Sequence, residues 1–85
     1  MNKQAVKKQT LSEMRKTSGL KTTQIAYIVG VSYPSIRNWE TGKSIPNAIY
    51  LKRLLDLYHK THDDLDWSVF ETAMETMEAL DTPNL

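Results

Sequence analysis

Apolar residues recur three or four positions apart along most of the chain, which is the spacing of one face of an α-helix. The residues that follow this spacing are Leu11/Met14, Ile25/Ile28, Ile36/Trp39 and the series Ile49, Leu54, Leu55 and Tyr58. Glycine and proline are few, and they stand at Gly19, Gly30, Pro34, Gly42, Pro46 and Pro83. Because these two residue types mark the starts and ends of helices, the pattern predicts an all-α domain.

Five helices follow from this pattern. Ser32 and Asn47 are residue types that accept a hydrogen bond at a helix start, and glycine suits the left-handed position after a helix end. Pro34 fits the first turn of the helix that follows Ser32. The predicted helices are about 6–17, about 22–29, from the Ser32 cap to near Glu40, from Asn47 to about His59, and from Asp63 or Asp64 through Trp67 and Phe70 to Leu80.

The length of 85 residues and the absence of cysteine limit the architecture. A chain this short supports one hydrophobic core, so several domains and large enzyme folds are excluded. Without cysteine, neither a disulfide framework nor a thiolate zinc site is expected. No apolar run approaches the roughly 20 residues of a membrane span, and the first residues lack the apolar stretch of a signal peptide. We expect no membrane association and a cytoplasmic location.

Charge is distributed unevenly along the chain, although the net charge is only +1. All eleven lysines and arginines lie in residues 1–60 with three acids, which gives this part a charge of +8. Residues 61–85 contain the other seven acids and no lysine or arginine, which gives −7. This asymmetry indicates a polyanionic partner for the basic part, with the acidic part turned away from it. Two solvated surfaces without such a partner are the alternative.

Residues 22–40 combine the features of two helices that cross at a tight turn. Ala26 is small enough for a close crossing, and Gly30 follows four residues later, where a turn needs a positive φ angle. Apolar residues before and after the turn face a shared core, namely Ile25, Val29, Val31, Ile36 and Trp39. The pattern predicts a helix-turn-helix motif.

The chain from about residue 11 to residue 65 resembles the lambda-repressor/Cro-like helix-turn-helix regulators, also called the XRE family. The residues that carry the resemblance are Arg15, Gly19, Leu20, Ile25, Ala26, Gly30, Val31, Ser32, Ile36, Trp39, Glu40, Gly42, Lys43 and Pro46. The resemblance implies a compact five-helix domain whose third helix enters the major groove of DNA, usually as a dimer on two half-sites. It also implies a buried ion pair between Arg15 and Glu40. The C-terminal helix is extended beyond a minimal domain of this family.

Four outward positions of the third helix are the candidates for reading base edges, because Ile36 and Trp39 turn inward. They are Tyr33, Pro34, Arg37 and Asn38. Arg37 suits a bidentate contact to guanine or a phosphate contact, and Asn38 suits a bidentate contact to adenine unless it is a capping or solvent-facing residue. Tyr33 is expected on a phosphate, on a sugar or over the next helix, and Pro34 on a thymine methyl group. Both replace residues that are usually polar in the family, so its DNA sequence preference cannot be transferred.

Phosphate contacts are predicted at the starts of the second and third helices and in the loop after the third. The candidates are Lys21, Thr22, Thr23, Ser35, Lys43 and Ser44. Lys21 and Thr22 stand where the family has a serine cap and a glutamine, yet a helix start with hydroxyls and a lysine still favours an anion. A role for Thr22 as the N-cap is compatible with this contact. In the loop, the resemblance implies contacts through backbone amides and through the Lys43 side chain.

Two flanking segments frame the predicted central domain of residues 11–65. Residues 1–10 carry Lys3, Lys7 and Lys8, and they form a basic arm over the DNA, the start of the first helix or a frayed end. Residues 66–85 form an acidic amphipathic helix with a frayed end. Its apolar face consists of Trp67, Phe70, Met74, Met77 and Leu80. This face is expected at a homodimer interface or against a protein partner, unless it folds back onto the core.

The sequence contains no catalytic constellation, and we expect no enzyme activity, no cofactor and no metal. His59, His62 and Asp63 are the one group of metal-ligand types, and a helix end followed by a capping aspartate explains them more simply. The prediction is therefore a sequence-specific transcription regulator, a Cro-like repressor of phage or bacterial type that binds a palindromic double-stranded operator as a homodimer. The alternative is an antitoxin-like or adaptor module that binds a protein through its C-terminal helix, with DNA binding secondary.

Overall fold

Four α-helices make up most of the protein in the computed structural model, which describes residues 7–75. They are α1 (Leu11–Ser18), α2 (Thr22–Val29), α3 (Tyr33–Thr41) and α4 (Ala48–Tyr58). Two 3₁₀ turns follow, at His62–Asp64 and Trp67–Phe70, and residues 71–75 are again α-helical. No β-strand occurs within residues 7–75. The prediction of a compact all-α domain is confirmed, and the described residues contain five α-helical segments when residues 71–75 are counted.

The first helix begins at Leu11 and not near Val6, where the apolar spacing predicts its start. The Thr10 hydroxyl accepts a hydrogen bond from the Glu13 amide (3.2 Å), and the Glu13 carboxylate accepts one from the Thr10 amide (2.9 Å). This reciprocal capping box satisfies two donors and fixes the start of the helix. Residues 7–10 are consequently not helical, and Val6 itself lies outside the described residues.

The segment before α1 is held by a distant part of the chain. The Gln9 amide donates to the Asp64 carbonyl (3.0 Å), and the Asp66 amide donates to the Gln9 carbonyl (2.8 Å). These two bonds make a single parallel bridge between Gln9 and Leu65. The pKa of the Asp66 carboxyl lies below its ordinary value, mainly because of hydrogen bonds from the 3₁₀ turn that follows and to a smaller extent because Lys8 is near. The described part of the basic N-terminal segment therefore lies beside acidic residues.

A tight turn joins α2 and α3, as the sequence predicts. Gly30 has a φ angle of 89°, a left-handed conformation that glycine adopts more easily than other residues. The amides of Gly30 and Val31 donate to the Ala26 carbonyl, at 2.9 and 3.0 Å, and close the end of α2. Ser32 then caps α3 by accepting a hydrogen bond from the Ser35 amide (3.3 Å). The predicted bounds of α2 and the predicted cap of α3 are confirmed.

The chain after α4 does not continue as the single long helix that the sequence predicts from Asp63 or Asp64. The first 3₁₀ turn ends there, and Leu65 has extended backbone with φ −85° and ψ 130°. Leu65 is completely buried and takes part in the bridge described above, so the helix is interrupted at this residue. A second 3₁₀ turn begins after Asp66, whose carboxylate accepts a hydrogen bond from the Ser68 amide (2.9 Å).

One hydrophobic core contains side chains from all four helices and from the segment after α4. Its buried residues are Leu11, Met14, Ile25, Ala26, Val29, Ile36, Trp39, Leu51, Leu54, Leu55, Tyr58, Leu65 and Phe70. Two residues that the apolar spacing assigns to this set are exposed instead, Ile28 by 54% and Ile49 by 64%. The buried stripe of these short helices is narrower than the spacing rule assumes.

Phe70 is fully buried in this core, so it is not available to a dimer or partner interface in this fold. Trp67 and Met74 are partly buried against the same core. The Trp67 ring also stacks on the His62 ring, with centroids 6.4 Å apart. The start of the acidic segment thus folds back onto its own domain. Met77 and Leu80, which complete the predicted apolar face, lie outside the described residues.

Candidate nucleic-acid interface

One side of α3 is buried and the opposite side is exposed. Ile36 and Trp39 are only 2% and 8% exposed. The four predicted base-reading residues face the other way, with Asn38 half-buried and the rest exposed: Tyr33, Pro34, Arg37 and Asn38. A helix turns by about 100° per residue, so these four positions occupy one continuous arc of about 140°. The structure brings them together on the face of α3 that points away from the core.

Arg37 and Asn38 keep unused hydrogen-bonding capacity. The Arg37 side chain is 49% exposed, and its Nη1 lies 3.8 Å from Glu40 Oε1, which is too long for a hydrogen bond. In the described part of the chain, the side-chain amide of Asn38 has no hydrogen-bond partner. Its backbone carbonyl is engaged, because it accepts a hydrogen bond from the Lys43 amide (2.9 Å). Arg37 therefore offers donors, and Asn38 a donor and an acceptor, on the outward side of α3.

An ion pair joins α1 to α3. Arg15 donates from Nε to Glu40 Oε2 (2.7 Å) and from Nη2 to Glu40 Oε1 (3.2 Å). The two side chains are only 16% and 4% exposed. The hydrogen bond to Glu40 raises the pKa of Arg15 above its ordinary value. The pair that the family resemblance implies is present, and it fixes the orientation of α3 from the inner side.

Tyr58 lies near this ion pair, and we expect it to make the protein sensitive to alkaline pH. Burial, and then the Glu40 carboxylate, raise the pKa of the Tyr58 hydroxyl above its ordinary value of 10. Folding therefore favours the neutral hydroxyl. Its contribution to stability is complete below pH 10 and is lost as the pH rises further, towards the higher pKa of the folded state. The free energy of unfolding should fall more steeply above pH 10 in the wild type than in Tyr58→Phe.

Denaturant unfolding at about pH 8 and about pH 11 measures this difference. Tyr27→Phe is the matched control, because the Tyr27 side chain is 88% exposed. The control should lose the same stability as the wild type between the two pH values. A Tyr58→Phe variant that also loses as much as the wild type would contradict the expectation.

The start of α2 combines hydroxyl and basic side chains with free backbone amides. Lys21 is the N-cap residue, and its amide donates to Gln24 Oε1 (2.8 Å), so Thr22 is the first helical residue and not the cap. Within residues 7–75, the hydroxyls of Thr22 and Thr23 have no hydrogen-bond partner. The first amides of a helix also lack partners in the helix and favour an anion. Three of the predicted phosphate contacts therefore lie together.

The loop after α3 uses its backbone amides inside the protein. The amides of Lys43 and Ser44 both donate to the Asn38 carbonyl, at 2.9 and 3.3 Å, and close the end of α3. The family resemblance implies that amides of this loop contact DNA, but these two are already engaged. The Lys43 side chain is exposed, and Ser44 is half-buried. In this loop, therefore, side chains and not these two amides are available for the predicted phosphate contacts.

Ser35, another predicted phosphate contact, takes part in the cap of α3. Its hydroxyl lies 3.0 Å from the Ser32 hydroxyl, close enough for a hydrogen bond. A hydroxyl has one donor and two acceptor positions, so Ser35 can still donate to a phosphate when the Ser32 hydroxyl is the donor of this bond. Its half-buried position leaves part of the side chain accessible.

Arg53 of α4 reaches the helix-turn-helix, although no residue of this helix is predicted from the sequence to lie at the interface. Its Nη1 donates to the Val29 carbonyl at the end of α2 (2.9 Å). A basic residue on an exposed helix face gives no indication of such a contact in the sequence. The one sequence signal for a positioned Arg53 is Tyr50, an aromatic residue one helical turn earlier, because a guanidinium group stacks favourably on an aromatic ring.

None of the helices within residues 7–75 has the length and the apolar character that a membrane span requires. Between residues 7 and 75, no three histidine or carboxylate side chains come close enough together to hold a metal ion. His59, one of the residues considered for such a site, ends α4 in a left-handed conformation with a φ angle of 58°.

A known protein family matches most of the chain. The family model described as helix-turn-helix matches residues 6–65. Comparisons with curated proteins and with solved structures give no significant match. The matched family is one of DNA-binding regulators and is not typically enzymatic. The chain therefore belongs to the lambda-repressor-like, or XRE, family of helix-turn-helix proteins and is a DNA-binding transcription regulator.

Proposed function

We propose that this regulator is a cytoplasmic repressor that binds a two-fold symmetric operator as a homodimer and excludes polymerase from it. The observation that carries the proposal is the exposed face of α3, where Arg37 and Asn38 have unused hydrogen-bonding groups. An α-helix fits the major groove, whose base edges present a distinct pattern of donors and acceptors. A dimer sets two such helices one turn of DNA apart, which accounts for the symmetry of the operator.

Within one half-site, the exposed face of α3 meets the base edges. Arg37 contacts a guanine or a phosphate. Asn38 contacts an adenine through the oxygen and the nitrogen of its side-chain amide. Pro34 has no backbone N–H, so it offers only an apolar contact such as one to a thymine methyl group. Tyr33 is 48% exposed and reaches a sugar or a phosphate through its ring and hydroxyl.

Phosphate contacts come from elements next to the exposed face of α3. The contributing residues are Lys21, Thr22, Thr23, Ser35, Lys43 and Ser44. The support for this set is the free hydroxyls and amides at the start of α2 and the exposed Lys43 side chain. The acidic segment from residue 61 onward carries charge of the same sign as DNA and stays away from it.

The dimer contact in this proposal uses the part of the C-terminal segment that does not belong to the core. Trp67 and Met74 are only partly buried within one chain, so both have surface left for a second copy. Met77 and Leu80 continue the same apolar spacing in the sequence. A protein partner on this surface, with DNA binding secondary, is the competing function.

Selection of bound duplexes from a random pool by the full chain tests the proposal. We expect an enriched motif with two-fold symmetry, a dimer in sedimentation experiments, and an affinity that falls steeply with salt. An asymmetric motif bound by a monomer would contradict the dimer but not base reading. If no motif is enriched and binding is weak on all duplexes, operator recognition is wrong, and the protein-interaction function is favoured.

Alanine substitutions should separate base contacts from phosphate contacts. Asn38→Ala and Arg37→Ala are each expected to reduce discrimination between the selected operator and a scrambled duplex by about 5- to 150-fold, because a bidentate base contact contributes about 1–3 kcal/mol. Lys43→Ala should weaken binding to both duplexes equally. It should also reduce the slope of log affinity against log salt concentration by about the contribution of one phosphate contact. Titration of both duplexes at several salt concentrations measures these effects.

The control for this series is Lys52→Ala. Lys52→Ala removes the same charge as Lys43→Ala. The Lys52 side chain is 72% exposed and forms an ion pair with Asp56 on the same helix, at 2.9 Å. The variant should leave both the discrimination and the salt dependence close to those of the wild type. Equal losses on the two duplexes for Asn38→Ala or Arg37→Ala would show that the residue does not read a base.

A further inference from the structure

Arg53 of α4 satisfies a backbone group at the turn of the helix-turn-helix. The last carbonyls of a helix have no partner within the helix, and Val29 is the last residue of α2. Arg53 Nη1 donates a hydrogen bond to the Val29 carbonyl at 2.9 Å, in a partly buried position. The guanidinium group also lies against Gly30, the next residue: a Cβ atom there would be in ordinary van der Waals contact with Arg53 Nη1, at 3.7 Å. The end of α2 is therefore anchored to α4.

The same guanidinium group is connected to α3 through two aromatic rings. Its central carbon lies 5.4 Å from the centroid of the Tyr50 ring. The Tyr50 ring in turn stacks on the Trp39 ring, with centroids 5.9 Å apart and planes at 30°. Trp39 belongs to α3 and is 8% exposed. One row of contacts thus runs from the end of α2 through α4 to the buried side of α3.

We propose that Arg53 is a positioning residue for DNA recognition, which sets the angle between α2 and α3 through Val29 on one side and through Tyr50 and Trp39 on the other. The inference rests on the proposed function, in which α3 enters the major groove. Phosphate contacts at the start of α2 and base contacts from α3 are made together only when this angle is correct. Arg53 acts through its neighbours and does not touch DNA.

Arginine has the geometry for this role. Its planar guanidinium donates in the plane and stacks on an aromatic ring with its face, so one side chain makes both contacts. A lysine at position 53 keeps the charge and can reach a carbonyl, but it has no planar group to stack on Tyr50. Arg53→Lys should therefore restore only part of the function that Arg53→Gln loses.

The test compares Arg53→Gln with Lys52→Gln in the full chain. Lys52 is the matched control, because it is the adjacent residue on the same helix, has the same charge and, among residues 7–75, forms an ion pair with Asp56 alone. We expect Arg53→Gln to bind the selected operator about tenfold more weakly and a scrambled duplex only about twofold more weakly, because a hydrogen bond from a charged group is lost without loss of a phosphate contact. The salt dependence should be unchanged, and Lys52→Gln should bind both duplexes like the wild type.

Three outcomes overturn this inference and leave the proposed function intact. A salt dependence lowered by about one phosphate contact on both duplexes would make Arg53 a DNA contact. Identical behaviour of Arg53→Gln and Lys52→Gln would show that the anchor has no effect. Wild-type binding of the operator by Arg53→Gln, together with no binding by Arg53→Lys, would contradict the role of the hydrogen bond to Val29 and of the stacking on Tyr50. A wild-type protein that binds no duplex would instead overturn the proposed function, and the positioning role with it.

Amide hydrogen exchange in the free protein gives a second readout that does not require DNA. The amides of Gly30 and Val31 close the end of α2 on the Ala26 carbonyl. Both should exchange faster in Arg53→Gln, because the end of α2 loses its anchor, while amides of α1 stay as in the wild type. The change should be intermediate in Arg53→Lys. Unchanged exchange at both amides would contradict the anchoring step itself.

Discussion

Gly42→Ala is expected to destabilise the protein by about 2–4 kcal/mol. Gly42 follows α3 with a φ angle of 81°, which costs a residue with a side chain about 1 kcal/mol or more. A Cβ atom at this position would overlap the Val69 carbonyl oxygen and press against the Val69 side chain. Because the overlapping atom is backbone, it cannot move aside as a side chain would, and overpacking adds about 1–3 kcal/mol. Denaturant unfolding measures the loss.

Gly19→Ala is the matched control for this prediction. Gly19 follows α1 with a similar φ angle of 76°, but a Cβ atom there would meet nothing within 4 Å. It should therefore show only the conformational cost of about 1 kcal/mol. Equal losses for the two variants would mean that the close approach of Val69 to the end of α3 has no energetic effect.

Loss of the charge at Arg15 should have a comparable effect. Arg15→Met is expected to destabilise the protein by about 3 kcal/mol, because it leaves the buried Glu40 carboxylate without its close partner. The value lies at the lower end of the usual range, since Arg37 Nη1 remains 3.8 Å from Glu40. The double variant Arg15→Met, Glu40→Leu should recover most of the loss, because it leaves no buried charge.

The exposed pair of Lys52 and Asp56 provides the comparison for the buried one. Both side chains are mostly exposed, at 72% and 64%, and an exposed pair one helical turn apart contributes only about 0.3–0.5 kcal/mol. Lys52→Met should therefore change the free energy of unfolding by less than this amount.

The double variant at Arg15 and Glu40 decides the cause of the loss at the buried pair. If it is as unstable as the sum of the two single variants, the cost comes from lost packing and not from an unpaired charge.

Local signals in the sequence explain why the helix-turn-helix could be predicted. The bounds of α2 and the start of α3 depend on Gly30, Ser32 and Pro34, which act within a few residues of their own position. The direction of Ile36 and Trp39 follows from helical spacing alone. These features do not depend on distant parts of the chain, so they can be predicted from the neighbouring residues alone.

Long-range contacts account for what could not be predicted. The late start of the first helix has a local signal that the apolar spacing does not use, namely Thr10 followed three residues later by Glu13. The pairing of Gln9 with Leu65, in contrast, joins distant parts of the chain. The same pairing interrupts the predicted last helix. The anchoring of Val29 by Arg53 crosses from one helix to another, and no spacing rule describes it. Ile28 shows a further limit, because spacing gives the direction of a face but not its width.

The bridge between Gln9 and Leu65 has a consequence for the order of folding. Its two partners enclose most of the described chain, so the bridge closes a long loop, and closing it costs less entropy once that loop has become compact. The helices between them are joined by short turns and make mostly local contacts, which form first. We therefore expect the segment from Leu65 to Phe70 to be the last part of the core to dock, so that Phe70 becomes buried only after the four helices have packed.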